Sequence, residues 1–92
     1  MSTVVTKEQA RKHLAANLRK AMDEKGVQQA DVARAIRAES EELQTARQRV
    51  YRYVNALSDV VGDDLANMAE YLGVSIDWLM NGSGRKKSRR AG

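Results

Sequence analysis

The sequence predicts an all-α domain built from five short helices. Apolar residues recur at steps of three and four positions in five separate segments, which is the spacing of amphipathic helices. Capping residue types precede most of these segments and glycine follows several of them, as at the ends of natural helices. The connections are two to six residues long, and no segment is predicted as a strand. A chain of 92 residues is expected to form one domain, here over residues 6–82, between a flexible N-terminus (1–5) and a flexible tail (83–92).

The first helix is predicted over residues 7–25. Thr6 and Gln9 have the spacing of a capping box, in which each side chain satisfies the backbone at the start of the helix. Gly26 is the predicted stop, because glycine readily adopts the left-handed conformation that ends many helices. The predicted buried stripe consists of Ala10, Leu14, Leu18 and Met22.

The second and third helices are predicted over residues 29–37 and 41–56. The second carries Val32, Ala33 and Ile36 on one face. The third is predicted as one long helix with Ser40 as its N-cap, although a helix that begins near Thr45, after a loop over residues 38–44, is an alternative. Its predicted stripe consists of Leu43, Ala46, Val50, Tyr53 and Leu57.

Two shorter helices complete the predicted domain. The fourth begins at a cap formed by Asp63 or Asp64 and ends at Gly73. Its apolar face consists of Leu65, Met68, Ala69 and Leu72. The fifth begins after the cap residue Ser75 and closes at Asn81 and Gly82, and its predicted buried positions are Ile76, Trp78 and Leu79.

The formal net charge of +4 belongs mostly to the tail. Positions 1–84 carry 11 basic and 12 acidic residues, so the predicted domain is nearly neutral. We expect the tail to add nonspecific phosphate contacts to a nucleic acid, although a linker and an inert solubilising end are alternatives. The basic residues of the tail are Arg85, Lys86, Lys87, Arg89 and Arg90.

The composition also argues against several classes of function. The chain has no cysteine, which excludes a disulfide framework and a thiolate zinc site, and its single histidine cannot supply a multi-histidine metal site. No apolar run is long enough to span a bilayer. We therefore expect no enzyme activity, no cofactor or metal, no membrane partner and no small-molecule ligand.

Three segments resemble the Cro and lambda-repressor-like (Xre-type) helix-turn-helix DNA-binding domains. Residues 26–36, GVQQADVARAI, are similar to the opening of the helix-turn-helix. Residues 50–55, VYRYVN, are similar to the second half of the recognition helix. Residues 65–82, LANMAEYLGVSIDWLMNG, are similar to the last two helices, and this is the most specific match. The resemblance implies a five-helix lambda-repressor-like fold.

The sequence departs from the family between its second and third helices. The family has a short turn there, often with a glycine, whereas this sequence has Arg37 at the glycine position and places the matching Val50 seven residues late. Seven residues are about two helical turns, so the apolar stripe is preserved. We infer an enlarged region, either an extended recognition helix or a larger turn. A further departure is Ala56, which stands where the family often has glycine.

The resemblance implies that the third helix reads DNA. Residues 43–58 contain no acid, and long hydrogen-bonding side chains dominate the polar face of the helix. A solvated charged face is the alternative, and Arg49 and Tyr53 could pack inward. Phosphates repel Glu39, Glu41 and Glu42, so these side chains are expected either to lie away from the DNA backbone or to limit how deeply the start of the helix enters the groove. The predicted base contacts are Gln44, Arg47, Gln48, Tyr51 and Arg52, and the predicted phosphate contacts are Gln28, Gln29, Arg34 and Asn55.

The resemblance further implies a phage- or mobile-element-type repressor in the bacterial cytoplasm or nucleoid. Such a protein binds a near-palindromic operator as a homodimer. The predicted dimer contact consists of Ile76, Trp78, Leu79 and Met80. An antitoxin-like protein-interaction module that also binds DNA is the alternative.

Overall fold

The computed structural model describes residues 6–82. This range contains five α-helices joined by short connections, and it contains no strand. In chain order they are α1 (Lys7–Lys25), α2 (Gln29–Ile36), α3 (Leu43–Val54), α4 (Gly62–Leu72) and α5 (Ile76–Asn81). The predicted all-α fold class is therefore confirmed. The predictions of flexible ends fall on residues 1–5 and 83–92, which lie outside the described residues.

The predicted start and end of α1 are both confirmed. Thr6 and Gln9 form the capping box: the Thr6 N–H donates to Gln9 Oε1, and the Gln9 N–H donates to Thr6 Oγ1, each at 3.1 Å. At the other end Gly26 has a φ of 76°, and the N–H of Val27 donates to the carbonyl of Met22 at 3.0 Å. This is the Schellman arrangement, which satisfies the last carbonyls of a helix.

Side chains cap both ends of the short helix α5, and the second of these caps comes from α1. The Ser75 Oγ accepts the N–H of Trp78 at 3.0 Å, as predicted for the start of this helix. At its other end the Nδ2 of Asn17, on α1, donates to the carbonyls of Trp78 and Leu79 at 3.2 and 3.1 Å. Because α5 has only six residues, these contacts and the burial of Trp78 and Leu79 stabilise it more than helix propensity does.

One hydrophobic core joins all five helices. α2 packs most extensively against α3, and α1 packs most extensively against α5. Each of the five helices contributes at least one of the largest fully buried side chains, which are Leu14, Leu18, Val32, Val50, Val54, Met68 and Leu79. The pairing of α2 with α3 leaves the outer side of α3 facing solvent.

The structure corrects the predicted third helix at both ends. The helix spans Leu43–Val54 with Glu42 at its N-cap, so neither the long helix from residue 41 nor the start near Thr45 is right, and Ser40 is not the cap. Residues 37–42, here called the inserted turn, connect α2 to α3. The side chain of Glu41 organises this turn, since its Oε1 accepts the N–H of Ala38 at 3.1 Å. The insertion is therefore an enlarged turn and not an extended helix.

Arg37 fits its position without the conformational freedom of glycine. Its φ and ψ are −63° and 129°, an extended conformation that any residue adopts. Its Nη1 donates to the carbonyl of Glu41 at 3.2 Å, so the side chain also closes the inserted turn. The larger turn thus removes the need for the glycine that the family often has here.

Other predicted boundaries and burials also change. α4 begins at Gly62 with Val61 at its N-cap, so Asp63 and Asp64 lie in the first turn and do not cap the helix. Two residues predicted as buried are exposed: Leu57 is 58% exposed and Ile76 is 45% exposed. Leu57 follows the end of α3, where the chain has left the helical register that predicted its burial.

Ala56 ends α3 in a left-handed conformation, with a φ of 58°. The N–H of Leu57 donates to the carbonyl of Arg52 at 2.8 Å, and the N–H of Ala56 donates to that of Tyr53 at 3.3 Å. This is the same Schellman geometry that glycines adopt at the ends of α1 and α4. For a residue with a Cβ the left-handed conformation costs about 1–2 kcal/mol, so Ala56 is a strained position.

We expect Ala56→Gly to raise the free energy of unfolding by about 1 kcal/mol, because glycine has no Cβ to strain. The matched control is Ala66→Gly on the exposed side of α4, which should lower it by about 1 kcal/mol. Urea unfolding followed by circular dichroism measures both. A neutral or destabilising Ala56→Gly would contradict the strain.

Candidate nucleic-acid interface

The inner side of α3 is anchored by Arg49, whose side chain is 21% exposed. Its Nε donates to Asp64 Oδ2 at 2.8 Å and its Nη2 donates to Asp64 Oδ1 at 3.2 Å, a two-point contact with α4. The same Nη2 donates to the carbonyl of Ile36 at the end of α2, also at 3.2 Å. Nη1 pairs with Glu41 of the inserted turn. Arg49 therefore binds α2, α4 and the inserted turn, and all three of its guanidinium nitrogens are engaged within the protein.

Asp64 is buried and binds the side chain of Tyr53 as well as that of Arg49. It is 5% exposed, and its Oδ2 also accepts the hydroxyl of Tyr53 at 2.6 Å. Burial, and then the hydrogen bond to Asp64, raise the pKa of Tyr53 to about 12. The hydrogen bond to Asp64 likewise raises the pKa of Arg49 above its ordinary value. We call Glu41, Arg49, Tyr53 and Asp64 the Asp64 cluster.

The inward packing of Arg49 and Tyr53, given above as an alternative, is confirmed, but their carboxylate partner Asp64 is not predicted by the sequence. Aspartate at the start of a helix is typical of a cap, so nothing in the sequence indicates a buried Asp64. Arg49 is one of three arginines along α3, and its residue type does not distinguish it from Arg47 and Arg52. The interacting residues are separated by 8, 11 and 15 positions. No local spacing pattern joins them, although an arginine at an inward helical position is a signal that a buried carboxylate lies opposite.

The outer side of α3 forms one concave surface with the start of α2. Its volume is about 410 Å³. All five predicted base-contacting residues line it, together with Gln29 and the exposed Leu57. We call this surface the reading face, and its residues are Gln29, Gln44, Arg47, Gln48, Tyr51, Arg52 and Leu57. The reading face contains two cations and no acid, and Leu57 is the member that sequence reasoning placed in the core.

The predicted phosphate contacts are in different environments. Gln29 is the first residue of α2 and lies on the reading face. Gln28, the N-cap, donates its N–H to Asp31 Oδ2 at 2.9 Å. Arg34 forms an exposed ion pair with Asp31 at 3.1 Å. Gln29 is thus the one of these three that already shares a surface with the predicted base contacts.

Asn55, the fourth predicted phosphate contact, is the C-cap of α3. Its Oδ1 accepts from Arg19 Nη2 at 3.0 Å, and its Nδ2 donates to the carbonyl of Tyr51 at 2.8 Å. The Nε of Arg19 donates to the carbonyl of Val54 at 2.7 Å. Asn55 therefore ties the end of α3 to α1, and a phosphate contact can use only its remaining hydrogen-bonding capacity.

The predicted dimer residues divide between core and surface. Trp78 is 7% exposed and Leu79 is fully buried, so both pack within the protomer. Ile76 is exposed and Met80 is half-buried. Of the four predicted dimer residues, Ile76 and Met80 are therefore the two that remain accessible to a second copy.

Residues 6–82 contain neither a metal-binding cluster nor a membrane-spanning helix. In this range no group of three or more histidine, aspartate or glutamate side chains is arranged to hold a metal ion. None of the five helices combines the length and the apolar character needed to cross a membrane.

The packed pair α2 and α3, with the reading face on its outer side, defines a helix-turn-helix domain of the DNA-binding class. Residues 18–79 match the family model described as Helix-turn-helix, which covers more than half of the chain. The chain therefore belongs to the Cro/C1-type (Xre) helix-turn-helix family, as the sequence resemblance predicted, and it is a DNA-binding regulator. No curated protein and no solved structure matches it.

We expect Asp64→Ala to lower the free energy of unfolding by about 3 kcal/mol, because it leaves Arg49 without its main partner at a mostly buried position. Asp63→Ala is the matched control, since Asp63 is exposed in the same helical turn and should change stability by less than about 1 kcal/mol. Equal effects of the two substitutions in urea unfolding would contradict the role of Asp64.

Stability should also depend on the ionisation of Tyr53. Its pKa in the folded chain, about 12, exceeds its ordinary value of 10.0. The stabilisation from the protonated hydroxyl is therefore fully present below pH 10 and is lost as pH rises towards 12. We expect Tyr53→Phe to flatten the fall in stability over this range, whereas Tyr51→Phe at an exposed position keeps it. Thermal unfolding as a function of pH measures this, and identical profiles for both variants would contradict it.

Proposed function

We propose that the chain is a sequence-specific regulator that binds double-stranded DNA through the reading face. It acts as a repressor by occupying its operator, without catalysis, in the cytoplasm or nucleoid of a bacterium, as a phage- or mobile-element-type regulator. The observation that carries this proposal is the convergence of all five predicted base-contacting side chains and Gln29 on one exposed surface.

The chemistry of the reading face matches the edges of base pairs in the major groove. Arginine can donate two hydrogen bonds to the O6 and N7 of guanine, and Arg47 and Arg52 are both exposed there. Glutamine can bond the N6 and N7 of adenine, which is the role we assign to Gln44 and Gln48. Tyr51 is 56% exposed and adds apolar contact area with a polar tip.

The start of α2 supplies the contact to the DNA backbone. The first N–H groups of a helix point outward and favour an anion. Gln29 stands at this point and also borders the reading face, so a phosphate bound there would align α3 with the groove. Arg34 and Asn55 are secondary phosphate contacts, and each has to share its hydrogen-bonding groups with an existing partner.

We further propose that the chain binds as a homodimer. A two-fold axis would place two copies of α3 in successive major grooves of a near-palindromic operator, about 34 Å apart. Ile76 and Met80 are the accessible apolar residues of α5 and form the proposed contact. The basic residues after position 83 add sequence-independent phosphate contacts to this complex.

An antitoxin-like module that also binds DNA is the second candidate. A groove of about 230 Å³ favours it, because a partner protein would cover its apolar lining. The lining consists of Ala10, Leu14, Val60 and Met80 beside the charged Lys7, Arg11 and Asp59. An obligate partner would leave the isolated chain poorly stable, whereas the regulator folds and binds its operator alone.

We expect Arg47→Ala and Arg52→Ala each to weaken binding to the preferred duplex by at least about tenfold, because each removes a two-point contact to guanine. Binding sites selected from random duplex DNA supply the probe, and fluorescence anisotropy measures affinity. The matched control is Lys20→Ala, which removes an exposed cation of α1 that is not on the reading face. Unchanged sequence preference in both arginine variants, with normal helicity, would contradict the proposed site.

A further inference from the structure

The inserted turn carries three glutamates in two different environments. Glu39 and Glu42 are exposed and form no ion pair with another residue of the range 6–82. The side chain of Glu41 is only 16% exposed. One of its oxygens accepts the N–H of Ala38 at 3.1 Å and the other pairs with Arg49. The turn therefore points one glutamate inward and leaves two in solvent.

The inward glutamate completes a set of contacts that restrains the rotation of α3 about its own axis. Arg49 is bound from the end of α2 through the Ile36 carbonyl, from α4 through Asp64, and from the inserted turn through Glu41. These contacts approach from three separate chain segments. Without Glu41 the turn would lose both its internal bond to Ala38 and its attachment to α3.

Rotation of α3 matters because the reading face belongs to the same helix. Side-chain atoms lie about 5–6 Å or more from a helix axis, so a rotation of 10° moves them by about 1 Å. A displacement of this size misaligns a two-point hydrogen bond to a base, while a single contact to a phosphate tolerates it. Base reading by Arg47, Gln48 and Arg52 is therefore the property most sensitive to this restraint.

We propose that Glu41 is a positioning residue for base reading: through Arg49 it fixes the orientation of α3, and so it determines sequence specificity without touching DNA. The proposal rests on the proposed function of the reading face. The insertion then has a structural role, because it supplies Glu41, the acidic side chain of the inserted turn that binds Arg49 of the recognition helix.

Glu41 could affect DNA binding through its negative charge or through its positioning of α3, and the two effects predict opposite changes in affinity for the preferred duplex. Removing an acid from the inserted turn makes the protein more positive and reduces its repulsion of phosphates, so every duplex should bind more tightly. Loss of positioning should instead weaken the preferred duplex relative to others. Glu39→Ala is the matched control, since it removes the same charge from the same turn but breaks no ion pair or side-chain hydrogen bond within residues 6–82.

The experiment measures the affinities of the preferred duplex and of a scrambled duplex at one salt concentration by fluorescence anisotropy. The chains compared are the unaltered protein, Glu39→Ala, Glu41→Ala and Glu41→Gln. The ratio of the two affinities is the readout, because partial unfolding weakens both by the same factor and cancels in the ratio. A merely structural role of Glu41 would therefore leave the ratio unchanged.

We expect Glu39→Ala to tighten both complexes with an unchanged ratio, and Glu41→Ala to lower the ratio by about tenfold. Glu41→Gln keeps an oxygen for the Ala38 N–H and should lower the ratio by a smaller factor. If Glu41→Ala does not fold, Glu41→Gln carries the comparison. Ratios equal to that of Glu39→Ala would overturn the positioning role. An unaltered protein with no preference would overturn the proposed function itself.

Discussion

The buried carboxylate of Asp64 is the contact that sets the relative positions of α2, α3 and α4. It accepts two hydrogen bonds from Arg49 and one from Tyr53. A buried carboxylate that lacked such donors would be strongly destabilising, so the helices are held in the arrangement that satisfies it. Arg49 extends the contact to the end of α2 and to Glu41. The helix pair that defines the DNA-binding fold thus depends on a polar cluster as well as on apolar packing.

Features that depend on residues close together in the sequence are predicted correctly, whereas features that depend on residues far apart in the sequence are not. The limits of α1 were predicted correctly because a capping box and a terminal glycine act within a few residues. The predicted start of α3 is wrong because Glu41 fits two different local structures equally well by residue type. It suits the first turn of a helix, but its carboxylate instead binds Ala38 and Arg49. The partner Asp64 lies fifteen residues beyond Arg49, so no local pattern could decide between helix and turn.

The composition of the candidate site shows the same division. Residue types along α3 predicted the reading face, since Arg47, Gln48 and Arg52 lie on its exposed side. Arg49 is chemically identical to its neighbours, but it lies on the inward side and is neutralised by carboxylates. Leu57 shows the reverse case, because the left-handed Ala56 interrupts the helical period and turns an expected core residue outward. The structure removes one arginine from the proposed DNA-binding surface and adds one leucine.

The most direct test of base reading by the exposed side of α3 is substitution of single atoms in the DNA. In the duplex selected from random sequences, each guanine is replaced in turn by 7-deazaguanine, which lacks the major-groove N7 acceptor, or by inosine, which lacks the minor-groove amino group. We expect 7-deazaguanine to weaken binding about tenfold at the guanines that Arg47 or Arg52 contacts, and inosine to have little effect. Weakening by inosine alone would contradict major-groove reading by α3.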